Sequence, residues 1–278
     1  MVAARRPVVV YDHRPVSAAG WFRELLRHRD LLYMITWREI KVKYKQSVMG
    51  FLWAILLPIV IVLAGILVRY AFATTSGTVL SADDIASVTV KAVPWAFFVT
   101  SIRFAANSLI ANASLVTKVY MPREVFPLAA ILSSLLDFAI ASGVLVLVLA
   151  VAGIDVSVHL LWVPVLFLVL LLLTTALALL LSAASLFFRD VKYVVEVLLT
   201  FAIFFTPVFY EVGMFDEWAQ LLLLNPVAPV LEGLYRVVVV HADPALPWLA
   251  YSAAVGVIGC VAGVATFKRL EPFFAESA

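Results

Sequence analysis

Charge is scarce in this sequence of 278 residues: 14% of it is Asp, Glu, Lys or Arg, against about 25% in ordinary soluble chains. The single cysteine, Cys260, excludes a disulfide framework within the chain. The four histidines, His13, His28, His159 and His241, are scattered without ligand spacing, so no metal site is expected. None of the eleven glycines precedes a lysine, which removes the phosphate-cradling G-x-x-x-x-G-K-[ST] loop and with it a P-loop ATPase. No G-x-S-x-G elbow supports a hydrolase. The chain therefore reads as no enzyme, and any uphill work must draw on a partner or an ion gradient.

What is abundant is oil. The chain is 64% hydrophobic with a mean hydropathy of +1.07, more apolar surface than a soluble body of this size can hide. Crossing a bilayer as a helix takes about 20 apolar residues. Six stretches qualify: about 50–73, 93–113, 125–152, 160–188, 193–210 and 246–267. Between the last two, residues 211–244 hold two short apolar runs broken by Asn225-Pro226 and Pro229. Neither run is long enough to span, so a re-entrant pair of short helices is expected there, shielded by protein.

Ten of the 20 Lys and Arg fall within the first 49 residues, beside four acids. No cleavable signal peptide is expected, because residues 8–11 are too short an apolar core. With six spans the two termini share a side. Sixteen cations then lie inward against three outward (Arg69, Lys91 and Arg236), with Arg103 inside a span. That asymmetry puts both termini in the cytoplasm. The expected fold is an all-α integral membrane protein of six transmembrane helices: a cytoplasmic arm over 1–49, a membrane domain over 50–270 and a tail over 271–278.

Trp21, Phe22, Leu25 and Leu26 recur at helical spacing, as in a helix lying in the headgroup plane. Asp30 is placed to cap a second helix running toward Lys45. Its end carries Arg38, Lys41, Lys43 and Lys45. These cations serve either anionic-lipid attraction and topology or reception of a phosphorylated substrate headgroup, with Tyr44 as hydrogen-bonding partner. Arg103 and Asp137 lie inside spans, where a charge is costly unless paired or watered; they either pair with each other or line an aqueous path. Gly256, Gly259 and Gly263 form a small-residue packing face. Trp95, Phe97 and Phe98 in span two, and Phe201, Phe204, Phe205, Phe209 and Tyr210 in span five, are either interfacial belt and core residues or a stacking surface for sugar rings.

The run Trp37-Arg38-Glu39-Ile40-Lys41-Val42-Lys43-Tyr44-Lys45-Gln46-Ser47-Val48-Met49-Gly50-Phe51-Leu52-Trp53, followed by Pro58, closely resembles the signature of ABC-2 permeases that export polysaccharides such as O-antigen, capsule and teichoic acid. Val119-Tyr120-Met121-Pro122-Arg123-Glu124-Val125-Phe126-Pro127, Phe188-Arg189-Asp190-Val191, and Thr206-Pro207-Val208-Phe209-Tyr210 with Asn225-Pro226 follow in the family's order. Glu211 stands where many members have proline. The resemblance implies a homodimer in the bacterial inner (plasma) membrane that meets two separate ABC ATPase subunits, which bind the ATP and Mg. It implies no cofactor in this chain, no nucleic-acid partner, an N-terminal interface helix and extracellular gate helices before the last span. The cargo would be a lipid-linked polysaccharide passing along the dimer interface. Lys118, Tyr120, Pro122, Arg123 and Glu124, with Arg189 and Asp190 as a smaller contact, would couple to the ATPase, and Lys118, Arg123 and Glu124 are expected to face the cytoplasm. The other readings are an ABC-2 exporter of a drug or small lipid, and a flippase or glycosyltransferase working without an ATPase.

Overall fold

A computed structural model describes residues 18–45, 52–77, 79–118, 121–215 and 218–274. Tyr120, the 46–51 part of the basic signature and the outer acids Asp216 and Glu217 lie outside the described residues. The described residues are helical, with no strand among them. Two helices form the leading arm, α1 (Ala18–Arg27) and α2 (Arg29–Lys45). They are followed by α3 (Leu52–Ser76), α4 (Ala82–Ala111), the short α5 (Ala113–Lys118), α6 (Val125–Val151) and α7 (Val163–Phe187). Then come α8 (Val191–Ala202), α9 (Ala219–Leu223), α10 (Ala228–Tyr235) and α11 (Leu246–Leu270).

Among the described residues, five helical stretches are long and apolar enough to cross a bilayer: 52–75, 82–111, 125–151, 158–187 and 246–273. The predicted fifth span departs from expectation. Helix α8 has 12 residues, about 18 Å at 1.5 Å per residue, and turns replace it from residue 203 onward. Pro207 lies in those turns, and its ring denies the Ile203 carbonyl a helical partner. The predicted second span began too late. Ser81 accepts from the Asp84 backbone N–H at 3.1 Å while Asp84 accepts from the Ser81 backbone N–H at 2.9 Å. This capping box starts α4 eleven residues before position 93. Asp30 sits inside the first turn of α2 rather than before it.

Helix α4 is the axle of the bundle, packed by α3, α6 and α7. That position explains its polarity: Ser87, Thr89, Lys91, Ser101 and Ser108 are buried against protein, where other helices replace lipid. Helices α7 and α11 pack along the glycine face read from the sequence. A Cβ at Gly259 would lie 3.0 Å from the Ala176 Cβ, and one at Gly263 would lie 3.2 Å from the Ala176 carbonyl oxygen. The backbones approach this closely because those side chains are absent.

A separate apolar cluster closes one end of the bundle. It joins Ile35 of α2, Leu109 of α4, Val125 and Phe126 of α6, Leu186 of α7 and Phe267 of α11 to Phe274, with Trp21 and Leu25 of α1 packed against it. This is the basic end. At the far end, Trp162 Nε1 donates to Asp243 at 3.0 Å, and two short helices, α9 and α10, occupy the re-entrant stretch. A π-helical turn over Arg236–Val240 follows α10 and stops at His241 in the left-handed region.

Candidate functional site

Helix α2 packs along α6, and near its end Lys43 forms an ion pair with Asp137 while the Tyr44 hydroxyl donates to the same carboxylate. Asp137 is twelve residues inside α6, about 18 Å along its axis. Lys43 also rests over the Phe104 ring at 4.6 Å. Burial, reinforced by the Asp137 carboxylate, pushes the Tyr44 hydroxyl above its ordinary pKa, so it stays a donor. Arg38 donates to Glu39 at 2.7 Å and to the Asn112 side-chain oxygen. Asn112 in turn donates to the Ser108 carbonyl at 2.8 Å. Three of the five residues expected to receive phosphate thus hold α2 onto α4 and α6. Lys41 and Lys45 stay exposed. Arg103 and Asp137 do not pair with each other: Arg103 meets Glu196 of α8 at 3.2 Å.

The segment before α6 departs further from expectation. Glu124, read as facing the cytoplasm, is 1% exposed and sits 2.8 Å from Lys268. Burial pushes its carboxyl pKa up even with that cation beside it. Lys268 also reaches Glu271 at 3.2 Å and Glu24 of α1 at 3.6 Å. Arg123 donates to the Glu271 carbonyl, and its guanidinium lies 5.9 Å from the Phe274 ring centre. Phe274 is fully buried between Phe187 and Phe267. The described part of the predicted tail, 271–274, is packed against the 121–126 segment. Pro122 is buried, whereas Lys118, Arg189 and Asp190 are exposed. Sequence reasoning missed Lys268 and Glu271 by treating the first as a topology cation. The signal was their i, i+3 spacing.

A second polar cluster, also missed, lies at the far end. Arg69 of α3 is 4% exposed and meets Glu211 at 2.6 Å and Asp84 at 3.2 Å. Ser87 completes the site, accepting from Arg69 at 3.3 Å. Lys91, with no exposed surface, donates to the Tyr210 carbonyl at 2.6 Å and lies 5.3 Å from the Tyr235 ring centre. Two of the three cations counted as outward, Arg69 and Lys91, are therefore buried within the protein. Glu211, set where a proline was expected, is the nearer of the two anions that partner this buried guanidinium, which would be strongly destabilising without one.

The aromatic residues divide by burial. Trp95, Phe97, Phe98 and Phe209 are buried in the protomer. Phe97 packs against Phe138 and Phe167 at 5.3 and 5.4 Å, and Trp95 stacks on Phe98 at 5.6 Å. These four belong to the core and offer no channel surface. Phe201, Phe204 and Phe205 are exposed, the last by 70%. Tyr210 is half-buried, its hydroxyl donating to the Phe204 carbonyl at 3.0 Å.

The sequence profile of the ABC-2 type transporter family matches residues 30–239. The chain belongs to the ABC-2 type transporter family. The matched stretch runs from the first turn of α2 to the π-helical turn after α10, so it takes in both charged clusters apart from the Lys268 end. Relatives extend beyond it. An O-antigen export system permease protein RfbA of Myxococcus xanthus is 33% identical over 263 residues, 92% of this chain and 98% of its own. Two Klebsiella pneumoniae proteins of the same name are 28% and 27% identical, each alignment covering 89% of this chain and 94% of the relative. This ABC-2 chain is thus a membrane subunit of a transporter rather than a catalytic enzyme, and a multi-pass protein of the bacterial inner membrane.

Proposed function

We propose that the chain is the permease subunit of an ATP-driven exporter of lipid-linked polysaccharide of the O-antigen class. The observation that carries this is the match to the Myxococcus xanthus O-antigen permease, which runs through 98% of that protein. Two copies of the permease meet two ABC ATPase subunits, and ATP with Mg is bound by those subunits. Both termini are cytoplasmic, so the basic end of the bundle faces the cytoplasm and α9 with α10 form the extracellular gate.

Six crossings remain the reading. Residues 191–210 are tied to α4 at two levels, Glu196 to Arg103 and the Tyr210 carbonyl to Lys91. Those levels are twelve residues apart on α4, about 18 Å, so a short helix and its following turns together traverse much of the bilayer. The exposed Phe201, Phe204 and Phe205 on this stretch line the sugar path, where pyranose faces stack on rings. Lys41 and Lys45 receive the phosphate of the lipid anchor as point charges. Lys118, Arg189 and Asp190 present the docking surface to the ATPase, and Pro122 and Arg123 hold its shape from behind.

The test is reconstitution of permease and candidate ATPase in proteoliposomes with lipid-linked O-polysaccharide from the source membrane. ATP-dependent appearance of glycan on the far side is expected. Charge reversal at Lys118 and Arg189 should abolish glycan-stimulated hydrolysis. Full stimulation by that variant would retire the docking assignment.

A further inference from the structure

Helix α11 is tied at its basic end to the segment before α6 and at its far end to the close of α9. At the basic end Lys268 gathers Glu124, Glu271 and Glu24, and Arg123 grips the Glu271 carbonyl. Glu124 is the residue from which α6 departs, so the 121–124 segment cannot shift without pulling on α11. At the far end the Tyr251 hydroxyl donates to the Leu224 carbonyl at 2.8 Å, the residue that closes α9. Tyr251 and Lys268 are seventeen residues apart on one uninterrupted helix, about 26 Å. Between them Gly256, Gly259 and Gly263 let α11 approach α7 closely. Close packing of this kind transmits strain.

We propose that α11 is the rod that carries the ATPase stroke from the 121–124 segment to the outer gate, with Lys268 as the positioning residue at its driven end and Tyr251 at its gate end. The proposal rests on the coupling role given above to the segment before α6. A displacement applied at Glu124 reaches Lys268 through a buried ion pair and Glu271 through the Arg123 contacts. It travels along α11 and arrives at α9 through Tyr251. Movement of α9 then opens or closes the path beneath it.

The experiment measures glycan molecules exported per ATP hydrolysed in proteoliposomes holding the permease and its ATPase, with lipid-linked O-polysaccharide as probe. Variants are Lys268→Gln, Lys268→Arg, Tyr251→Phe and the Lys268→Gln/Tyr251→Phe double. The expected result is a loss of about fivefold or more in glycan per ATP for Lys268→Gln and for Tyr251→Phe, the low end of coupling between distant sites. Lys268→Arg should restore most of the ratio, and the double variant should be no worse than the poorer single, as for two breaks in one rod. A structural defect lowers the amount of active transporter but leaves this ratio unchanged. A wild-type ratio in Lys268→Gln, or losses that multiply in the double, would overturn the rod. Wild-type permease that leaves hydrolysis unaltered by glycan would overturn the coupling role itself.

Discussion

Removing the charge of Glu211 isolates what holds the outer end together. In Glu211→Gln the side-chain shape is kept while Arg69, 4% exposed, loses its nearer anion. Breaking a buried pair costs about 3–5 kcal/mol. Arg69 has two carboxylates, at 2.6 and 3.2 Å, and attraction scales inversely with distance, so Glu211 supplies slightly more than half of it. The expected loss is about 2 kcal/mol, or an apparent melting temperature lower by roughly 4–8 °C for a chain of this size. The assay is thermal unfolding in detergent or nanodiscs, followed by the fraction that stays monodisperse. Arg69→Met in the Glu211→Gln background removes the stranded cation and should recover at least half of the loss. A melting temperature for Glu211→Gln equal to wild type, or a double variant worse than the sum of the singles, would refute the reasoning.

The other expectations are narrower. Phe97→Ala should cost about 3–5 kcal/mol of stability, whereas Phe205→Ala should leave melting unchanged and lower glycan export; thermal unfolding and transport assays together separate the two. Gly259→Val should destabilise by about 1–3 kcal/mol through overpacking against Ala176, read as a lower melting temperature. Burial raises the Glu124 pKa in the folded chain above its ordinary 4.5. Its contribution is therefore fully present below pH 4.5 and is lost as pH rises through the raised value. Glu124→Gln should flatten the stability-pH curve in that window, and an unchanged curve would contradict the assignment. Asp137→Asn should strand Lys43 within the bundle and lower the yield of folded protein, with Lys43→Met restoring it, as measured by size-exclusion profiles.

Long apolar runs made most of the bundle legible. The spans over α3, α6, α7 and α11 were found to within a few residues because twenty consecutive oily positions admit few other structures. Helix α4 extends well before position 93: Asp83, Asp84 and Lys91 put charge into its first turns, where hydropathy alone gives no span. Hydropathy carries no sign of whether a span faces lipid or protein, and α4 faces protein. Residues 193–210 are oily enough, but regular helix stops at Ala202 and turns carry the chain on through Pro207, which hydropathy does not register. The charged sites were hardest to place. Arg69, Lys91, Glu124 and Lys268 look like ordinary loop or topology charges in one dimension. Glu211 and the Tyr210 carbonyl lie far along the chain from Arg69 and Lys91, as Glu124 does from Lys268, and only the fold brings them together.

The most direct measurement of the central claim is nucleotide dependence of transport by the purified chain. Proteoliposomes loaded with lipid-linked O-polysaccharide and containing the permease alone should export nothing. Adding the cognate ABC ATPase with ATP and Mg should start export, and a non-hydrolysable nucleotide should not sustain it. Sustained export by the permease alone, without nucleotide, would contradict the account.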